Sequence, residues 1–190
     1  MFARTPRLLL RPGWQEDSQA LAQAIGEESV VRNLARAPWP YGPQDAETYL
    51  TRDRDPLLPD FLIFSRTLGA PRLVGGCGIS RSEDEGLELG YWIARPYWGL
   101  GFATEASRAV MRIARATGLS GITASHFLDN PASGNVLRKI GFRPTGQIAS
   151  RYSIGRGADV ACAMFEQGEE VDMPRDVHLD LYSDARSLAA

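Results

Sequence analysis

The sequence contains few of the residues that hold metals or cross-link a fold. Of its 190 residues, only two are cysteines and two are histidines. Cys77 and Cys162 lie far apart in apolar, strand-like segments, a pattern typical of buried, reduced thiols. His126 and His178 have no neighbouring ligand pattern. The sequence therefore predicts free cysteines and no metal site.

Excess charge of one sign and long apolar runs are also missing. The formal net charge of −2 argues against a nucleic-acid partner. The apolar run Leu8 to Leu10 is too short for the core of a signal peptide, and no segment reaches the length of a membrane span. We therefore expect a cytoplasmic protein without a nucleic-acid or membrane partner, as a monomer or a homodimer.

What the chain does contain is typical of one globular domain. Hydrophobic residues make up 44% of the sequence and charged residues 23%. Its length suits one hydrophobic core rather than two. From residue 168 onward the chain becomes acidic and loses hydrophobic periodicity. We therefore expect a single domain over residues 1–167, and a tail or wrap-around segment over 168–190.

Hydrophobic periodicity predicts an alternation of strands and helices. The predicted strands are 7–11, 61–67, 72–80, 87–93, 121–127, one starting at residue 142, and 159–166; the predicted helices are 14–28, 43–52, 101–117 and 131–141. This order combines antiparallel hairpins with one β-α-β crossover, which predicts an α/β domain with a mixed sheet.

The crossover contains two glycines at the point where a strand passes into a helix, in YWGLGFATEA (97–106). The first N–H groups of a helix and the positive end of its dipole bind anions, and glycine lets a phosphate approach the backbone closely. Thr104 could add a hydroxyl donor. A P-loop is excluded because no Gly-Lys-Ser/Thr follows, and a dinucleotide fingerprint lacks its carboxylate after the next strand. An anion site and a simple tight turn both remain open on this motif alone.

A second motif, DNPASGNVLRKIGF, follows the next strand. Together with the first it makes the sequence resemble the GCN5-related N-acetyltransferase (GNAT) superfamily, and within it the ribosomal-protein-alanine acetyltransferase-like (RimJ/RimL-type) branch. The stretches that carry the resemblance are 87–106 and 130–142, with support from TPRLLLRP (5–12) and APWPYGPQDAETYL (37–50). It covers roughly residues 5–166.

The resemblance implies a fold, a co-substrate and a reaction. The fold is a mixed, mostly antiparallel central sheet with helices on both faces and a splayed central strand pair. The reaction is direct transfer of an acetyl group from acetyl-CoA to a primary amine of a protein N-terminus or a small molecule. The residues of 87–106 and 130–142 could also serve a non-catalytic acyl-CoA-binding or regulatory module.

The resemblance also assigns the acetyl-CoA contacts. The family's Q/R-x-x-G-x-G/A loop, which binds the pyrophosphate, matches the window from Trp98 to Ala103, with Trp98 in place of the usual Gln or Arg. Pantetheine would pair with the preceding strand. The expected contacts are Tyr91, Trp92, Ile93, Trp98, Gly99, Leu100, Gly101, Phe102, Ala103, Thr104, Asn130 and Ser133. Asn130 is equally suited to cap the following helix.

Amine acetylation needs a proton acceptor, because an amine with a pKa near 10 is mostly protonated at neutral pH. Glu88 is the candidate, since partial burial in its strand would make the carboxylate a better acceptor. An outward-facing strand glutamate is the alternative. His126 is a second candidate base, and Glu105 is expected to point away from the coenzyme.

The family's usual acid, a tyrosine in the second motif, is absent, because its position is Leu137 here. In the branch that the chain resembles, a serine at the position of Ser133 is proposed to act near the thiol, although a serine in a first helical turn can simply bond the backbone. Trp39 and Tyr41, with Glu88, are expected to border the acceptor amine, because the family uses that loop for specificity.

Overall fold

One mixed sheet organises the protein. The computed structural model describes residues 1–67, 69–82, 85–168 and 180–182. Within that part of the chain nine strands form a single sheet in the order β7-β8-β6-β5-β4-β3-β2-β1-β9. The strands are β1 (Phe2–Arg4), β2 (Leu8–Arg11), β3 (Asp60–Ser65), β4 (Arg72–Arg81), β5 (Leu87–Ile93), β6 (Ile122–Phe127), β7 (Phe142–Ser153), β8 (Ala158–Gln167) and β9 (Asp180–Tyr182). Among the described strands only β5 and β6 pair in parallel, which confirms the predicted α/β, mostly antiparallel architecture.

Helices cover both faces of the sheet. They are α1 (Ser18–Ile25), α2 (Glu28–Val31), α3 (Pro43–Thr51), α4 (Phe102–Ala116) and α5 (Pro131–Lys139). Helices α4 and α5 pack on one face, where α4 buries a stripe of apolar side chains at helical spacing. Helices α1 and α3 pack on the other face, around Leu21 and Leu62. We call these the α4 face and the α1 face.

The parallel pair β5–β6 is splayed, as the resemblance implies. Its ladder holds only three residue pairs, from Leu87 opposite Ile122 to Leu89 opposite Ala124. Beyond Leu89, β5 continues to pair with β4, and β6 continues to pair with β8. The two strands therefore part toward their C-terminal ends, and among the described strands none pairs with the backbone edge of β5 there.

The structure differs from the sequence prediction at several places. The helix predicted over 14–28 is a 3-10 turn (Gln15–Asp17), α1 and α2, because Gly26 ends α1 and Glu27 is extended. Strand β1 was not predicted. Of the arginines of α4, Arg115 is exposed, whereas Arg108 and Arg112 are half-buried, and burial lowers the pKa of Arg112.

The predicted tail lies mostly outside the described residues. Its described part, β9, pairs antiparallel with β1 at the edge of the sheet, Leu181 opposite Ala3. His178, for which no metal role was expected, is also outside the described part. Within the described residues, no helix is both long and apolar enough to cross a membrane.

Candidate active site

The splay of β5 and β6 opens into a cleft of about 1190 Å³. Its size suits a large organic ligand. The predicted site residues that line it are Tyr41, Glu88, Tyr91, Trp92, Ile93, Trp98, Gly99, Gly101, Phe102, Ala103, Thr104, His126, Asn130 and Ser133. Two predicted residues, Trp39 and Leu100, are exposed and lie outside this lining. One continuous cleft thus joins the predicted coenzyme and acceptor sides.

The turn that leads into α4 depends on both glycines. Gly99 has φ +77° and Gly101, the N-cap of α4, has φ +80°, a region that other residues rarely adopt. Both glycines therefore shape the turn. The first N–H groups of a helix have no partner within it, and Gly101 to Thr104, where α4 begins, line the cleft. This geometry fits an anion such as a pyrophosphate.

Trp98, which stands where the family usually has Gln or Arg, is turned back onto β5. Its indole N–H donates a hydrogen bond to the carbonyl of Ile93 at 2.6 Å. The Arg95 guanidinium lies over the indole, 4.5 Å from its centre. The side chain thus fixes the path from the strand to the glycine turn, a structural task that the sequence prediction did not foresee.

Only part of the predicted backbone edge of β5 faces the splay. The Ala94 N–H donates to the Val74 carbonyl at 2.9 Å, and Trp92 lies opposite Gly76. Because antiparallel bonding alternates, the backbone groups of Trp92 are bonded to β4, and those of Tyr91 and Ile93 point into the splay. The Ile93 carbonyl already accepts a hydrogen bond from the Trp98 indole N–H. The Ile93 N–H and the N–H and carbonyl of Tyr91 therefore remain to bond a ligand in the splay.

Asn130 and Ser133 meet at the start of α5. The Asn130 carbonyl oxygen Oδ1 accepts a hydrogen bond from the Ser133 N–H at 3.3 Å, so Asn130 caps the helix. The Tyr91 hydroxyl lies 2.8 Å from Ser133 Oγ and 2.9 Å from its carbonyl. Burial raises the pKa of Tyr91, so its hydroxyl is protonated at neutral pH. Sequence analysis missed this contact, which joins residues 42 positions apart.

The Glu88 carboxylate lies on the α1 face in a polar cluster. Glu88 is only 8% exposed, so it is not an outward-facing strand residue. Arg151 Nη1 contacts its two oxygens at 2.7 and 2.9 Å, and the Ser125 hydroxyl donates to Oε1 at 3.0 Å. A cation and a hydroxyl donor therefore fix the position of the carboxylate. Neither Arg151 nor Ser125 was predicted from the sequence. Only Ser125 could have been found there, because it lies in the strand that follows the crossover.

His126 lies on the other side of the sheet from Glu88. Strand parity places its ring on the α4 face, where it packs against Gly134 and Phe165. Its Nδ1 is 2.8 Å from the carbonyl of Phe127. Because the sheet separates this ring from the α1 face, His126 and Glu88 do not form one cluster.

The acceptor side predicted from the loop 37–50 is aromatic. Tyr41, Tyr49 and Trp92 pack against the apolar cluster of the α1 face. The Tyr41 hydroxyl has no hydrogen-bond partner among the residues that the structure describes, and burial raises the pKa of Tyr41 to about 12. An unpartnered buried hydroxyl is available to a ligand. Trp39 is 42% exposed beside this region.

Both cysteines are free and buried, as predicted, and burial raises the pKa of Cys77 to about 12. In the described part of the chain, no three His, Cys, Asp or Glu side chains come together in a way that could hold a metal ion. The cleft is lined by backbone donors, hydroxyls, aromatic rings and ion pairs, among them Arg151–Glu88 and Arg52–Asp60.

Comparison with known proteins gives relatives of the same kind. A curated protein named uncharacterized N-acetyltransferase YoaA, from Bacillus subtilis (strain 168), is 28% identical over 157 residues, 76% of this chain and 84% of YoaA. The ribosomal-protein-S5-alanine acetyltransferase from Vibrio fischeri superposes with a TM-score of 0.72 at 17% identity, covering 92% of this chain and all of the other. The microcin C7 self-immunity acetyltransferase MccE, solved with acetyl-CoA and AMP, superposes with a TM-score of 0.68 at 15% identity, covering 86% and 93%.

The family model of the acetyltransferase (GNAT) domain matches residues 7–143, which is most of the chain. This match spans the sheet from β2 to the start of β7 and includes both the glycine turn and the start of α5. The chain therefore belongs to the GNAT acetyltransferase family and is an N-acetyltransferase.

Proposed function

We propose that the protein acetylates the primary amine of a protein N-terminus, or of a small molecule, as a RimJ/RimL-like enzyme. The observation that carries the proposal is the single cleft that joins the glycine turn of α4 to Glu88 and the aromatic loop. The sequence resemblance and the ribosomal-protein acetyltransferase among the structural neighbours support the branch. Acetyl-CoA would supply the acetyl group as a thioester.

The turn from Trp98 to Thr104 would hold the coenzyme pyrophosphate. A side chain at Gly99 would meet nothing within 4 Å, and one at Gly101 would meet only Arg7, so the turn is open. The backbone N–H groups at the start of α4, with Phe102 and Ala103, would be the main donors, and the Thr104 hydroxyl would add one. Leu100, which is exposed at the tip of the turn, would contribute its backbone alone.

The edge of β5 would hold the pantetheine arm. The Tyr91 backbone groups and the Ile93 N–H point into the splay, as a paired extended chain requires. Trp92 would contribute through its ring on the α1 face, because its backbone bonds to β4. Asn130 already caps α5, so its side-chain amide N–H₂ remains as the donor toward the arm.

Ser133 would act at the sulfur end and Glu88 at the amine. The Tyr91 hydroxyl lies 2.8 Å from Ser133 Oγ and keeps it beside β5; with Tyr91 donating to Oγ, the serine proton would be free to point toward the departing sulfur. Glu88 would take the proton of the amine, directly or through one water molecule. Arg151 and Ser125 fix the carboxylate while leaving it at the cleft. Tyr41 and Trp39 would border the acceptor.

The test is a thiol-release assay with acetyl-CoA. Peptides that begin with alanine or serine are compared with polyamines and with aminoglycoside-type amines. We expect the rate of thiol release to exceed the hydrolysis background for at least one class of amine, and to be highest for the peptides. Acetyl-CoA binding without release for any amine would instead support a non-catalytic acyl-CoA-binding module.

A further inference from the structure

Glu105 presents an electrostatic problem at the proposed pyrophosphate site. It lies in the first turn of α4, one residue after Thr104. A carboxylate there stabilises the helix dipole, but it also competes with any anion that binds at the same helix end. The sequence analysis expected Glu105 to point away from the coenzyme, and its contacts show what it points toward.

The Arg7 side chain, from the segment between β1 and β2, meets Glu105 and the glycine turn together. Its Nε lies 2.7 Å from Glu105 Oε2, and its backbone N–H donates to Oε1 at 3.0 Å. Its Nη1 donates to the carbonyl of Leu100, between the two glycines, at 2.9 Å. The Thr5 hydroxyl completes the set on Glu105 Oε1 at 2.5 Å.

The guanidinium also packs beside the end of the turn. It lies 4.8 Å from the centre of the Phe102 ring, and its Nη2 is 3.5 Å from where a side chain at Gly101 would begin. The Arg7 side chain is 42% exposed and does not line the cleft, whereas Gly101 and Phe102 do. Arg7 thus acts on the turn from the side away from the ligand.

We propose that Arg7 is the positioning residue of the pyrophosphate turn, because it neutralises Glu105 and fixes the Leu100 carbonyl. This role rests on the proposed acetyl-CoA site. Without Arg7, the Glu105 charge would stand uncompensated at the helix end that binds an anion.

The test compares four proteins: wild type, Arg7→Met, Glu105→Gln and the double variant. Calorimetry measures binding of CoA, which carries the pyrophosphate, and of pantetheine, which does not. We expect Arg7→Met to weaken CoA binding about tenfold and to leave pantetheine unchanged. Glu105→Gln should keep CoA affinity at or above that of the wild type. The double variant should regain most of the loss, because the uncompensated charge is gone.

One further variant and one control keep the test decisive. Arg7→Lys keeps the charge but cannot make the Glu105 and Leu100 contacts together, so CoA affinity should lie between wild type and Arg7→Met. If Arg7→Met does not fold, the comparison of Arg7→Lys with Glu105→Gln carries the test, and thermal unfolding identifies that case.

Three results would overturn the proposal: wild-type CoA affinity in Arg7→Met and Arg7→Lys, no recovery in the double variant, or an equal loss for pantetheine. Absence of CoA binding by the folded wild type is a separate outcome, because it would overturn the proposed coenzyme site itself and this role with it.

Discussion

Removing the Tyr91 hydroxyl tests the link between β5 and the start of α5. In Tyr91→Phe the ring keeps its packing, but Ser133 loses its partner at 2.8 Å on Oγ and at 2.9 Å on its carbonyl. A neutral hydrogen bond of this kind contributes about 0.5–1.5 kcal/mol. We therefore expect the melting temperature to fall by a few degrees, at about 2–4 °C per kcal/mol for a chain of this size.

The same loss should appear in turnover. If the Tyr91 hydroxyl serves only to orient Ser133, kcat of Tyr91→Phe should fall about two- to tenfold, and the KM for acetyl-CoA should stay unchanged. The thiol-release assay measures both, with Tyr97→Phe, another tyrosine of the same cleft, as the matched control. In a double-mutant cycle, Tyr91→Phe should add little to Ser133→Ala. Additive losses, or an unchanged kcat in Ser133→Ala, would refute the reasoning.

Three further predictions concern stability. The Asp129 carboxylate accepts hydrogen bonds from Arg156 at 2.8 and 3.0 Å, and these bonds lower the pKa of Asp129. The ion pair therefore stabilises the fold at neutral pH, and this stabilisation is lost as the pH falls below about 4. In Asp129→Asn, the free energy of unfolding should therefore fall less steeply with decreasing pH than in the wild type. Leu137→Ala removes a fully buried side chain and should lower the free energy of unfolding, measured in urea, by about 2–5 kcal/mol. A much smaller loss would show that the surrounding side chains close the cavity. Gly99→Ala and Gly101→Ala each place an alanine in the left-handed region, which should lower the free energy of unfolding by about 1–2 kcal/mol. A variant whose thermal unfolding in the calorimeter equals that of the wild type would contradict this prediction.

The sequence predicted what depends on local patterns. Helices α4 and α5, the Asn130 cap and strands β2 to β8 follow from periodicity and from residues with marked preferences, and the structure confirms them. The helix predicted over 14–28 was wrong because periodicity continues across Gly26 while the backbone does not. Strand β1 was missed because three residues are too few for a pattern; it is held by β2 and β9.

The candidate site was predictable only in part, because only some of its residues belong to local sequence patterns. The glycine turn and the start of α5 are contiguous motifs, so their residues could be named from the sequence. The partners that decide their chemistry are distant in the chain: Arg151 is 63 residues from Glu88, and Arg7 is 98 residues from Glu105. Tertiary packing brings them together, and no local signal predicts a contact of this kind.

Glu88 is the residue on which the proposed chemistry depends most. Glutamine keeps an oxygen that can accept from Ser125 and Arg151, so Glu88→Gln removes proton acceptance with little change of shape. Glu47→Gln, at an exposed position on α3, is the matched control.

The most direct measurement is kcat across the pH range, together with the acetyl-CoA dissociation constant, for Glu88→Gln and the wild type. A general base contributes about a hundredfold or more, so kcat at neutral pH should fall by at least that factor while the dissociation constant changes less than about twofold. A turnover equal to that of the wild type at every pH would contradict the assignment of Glu88 as the proton acceptor.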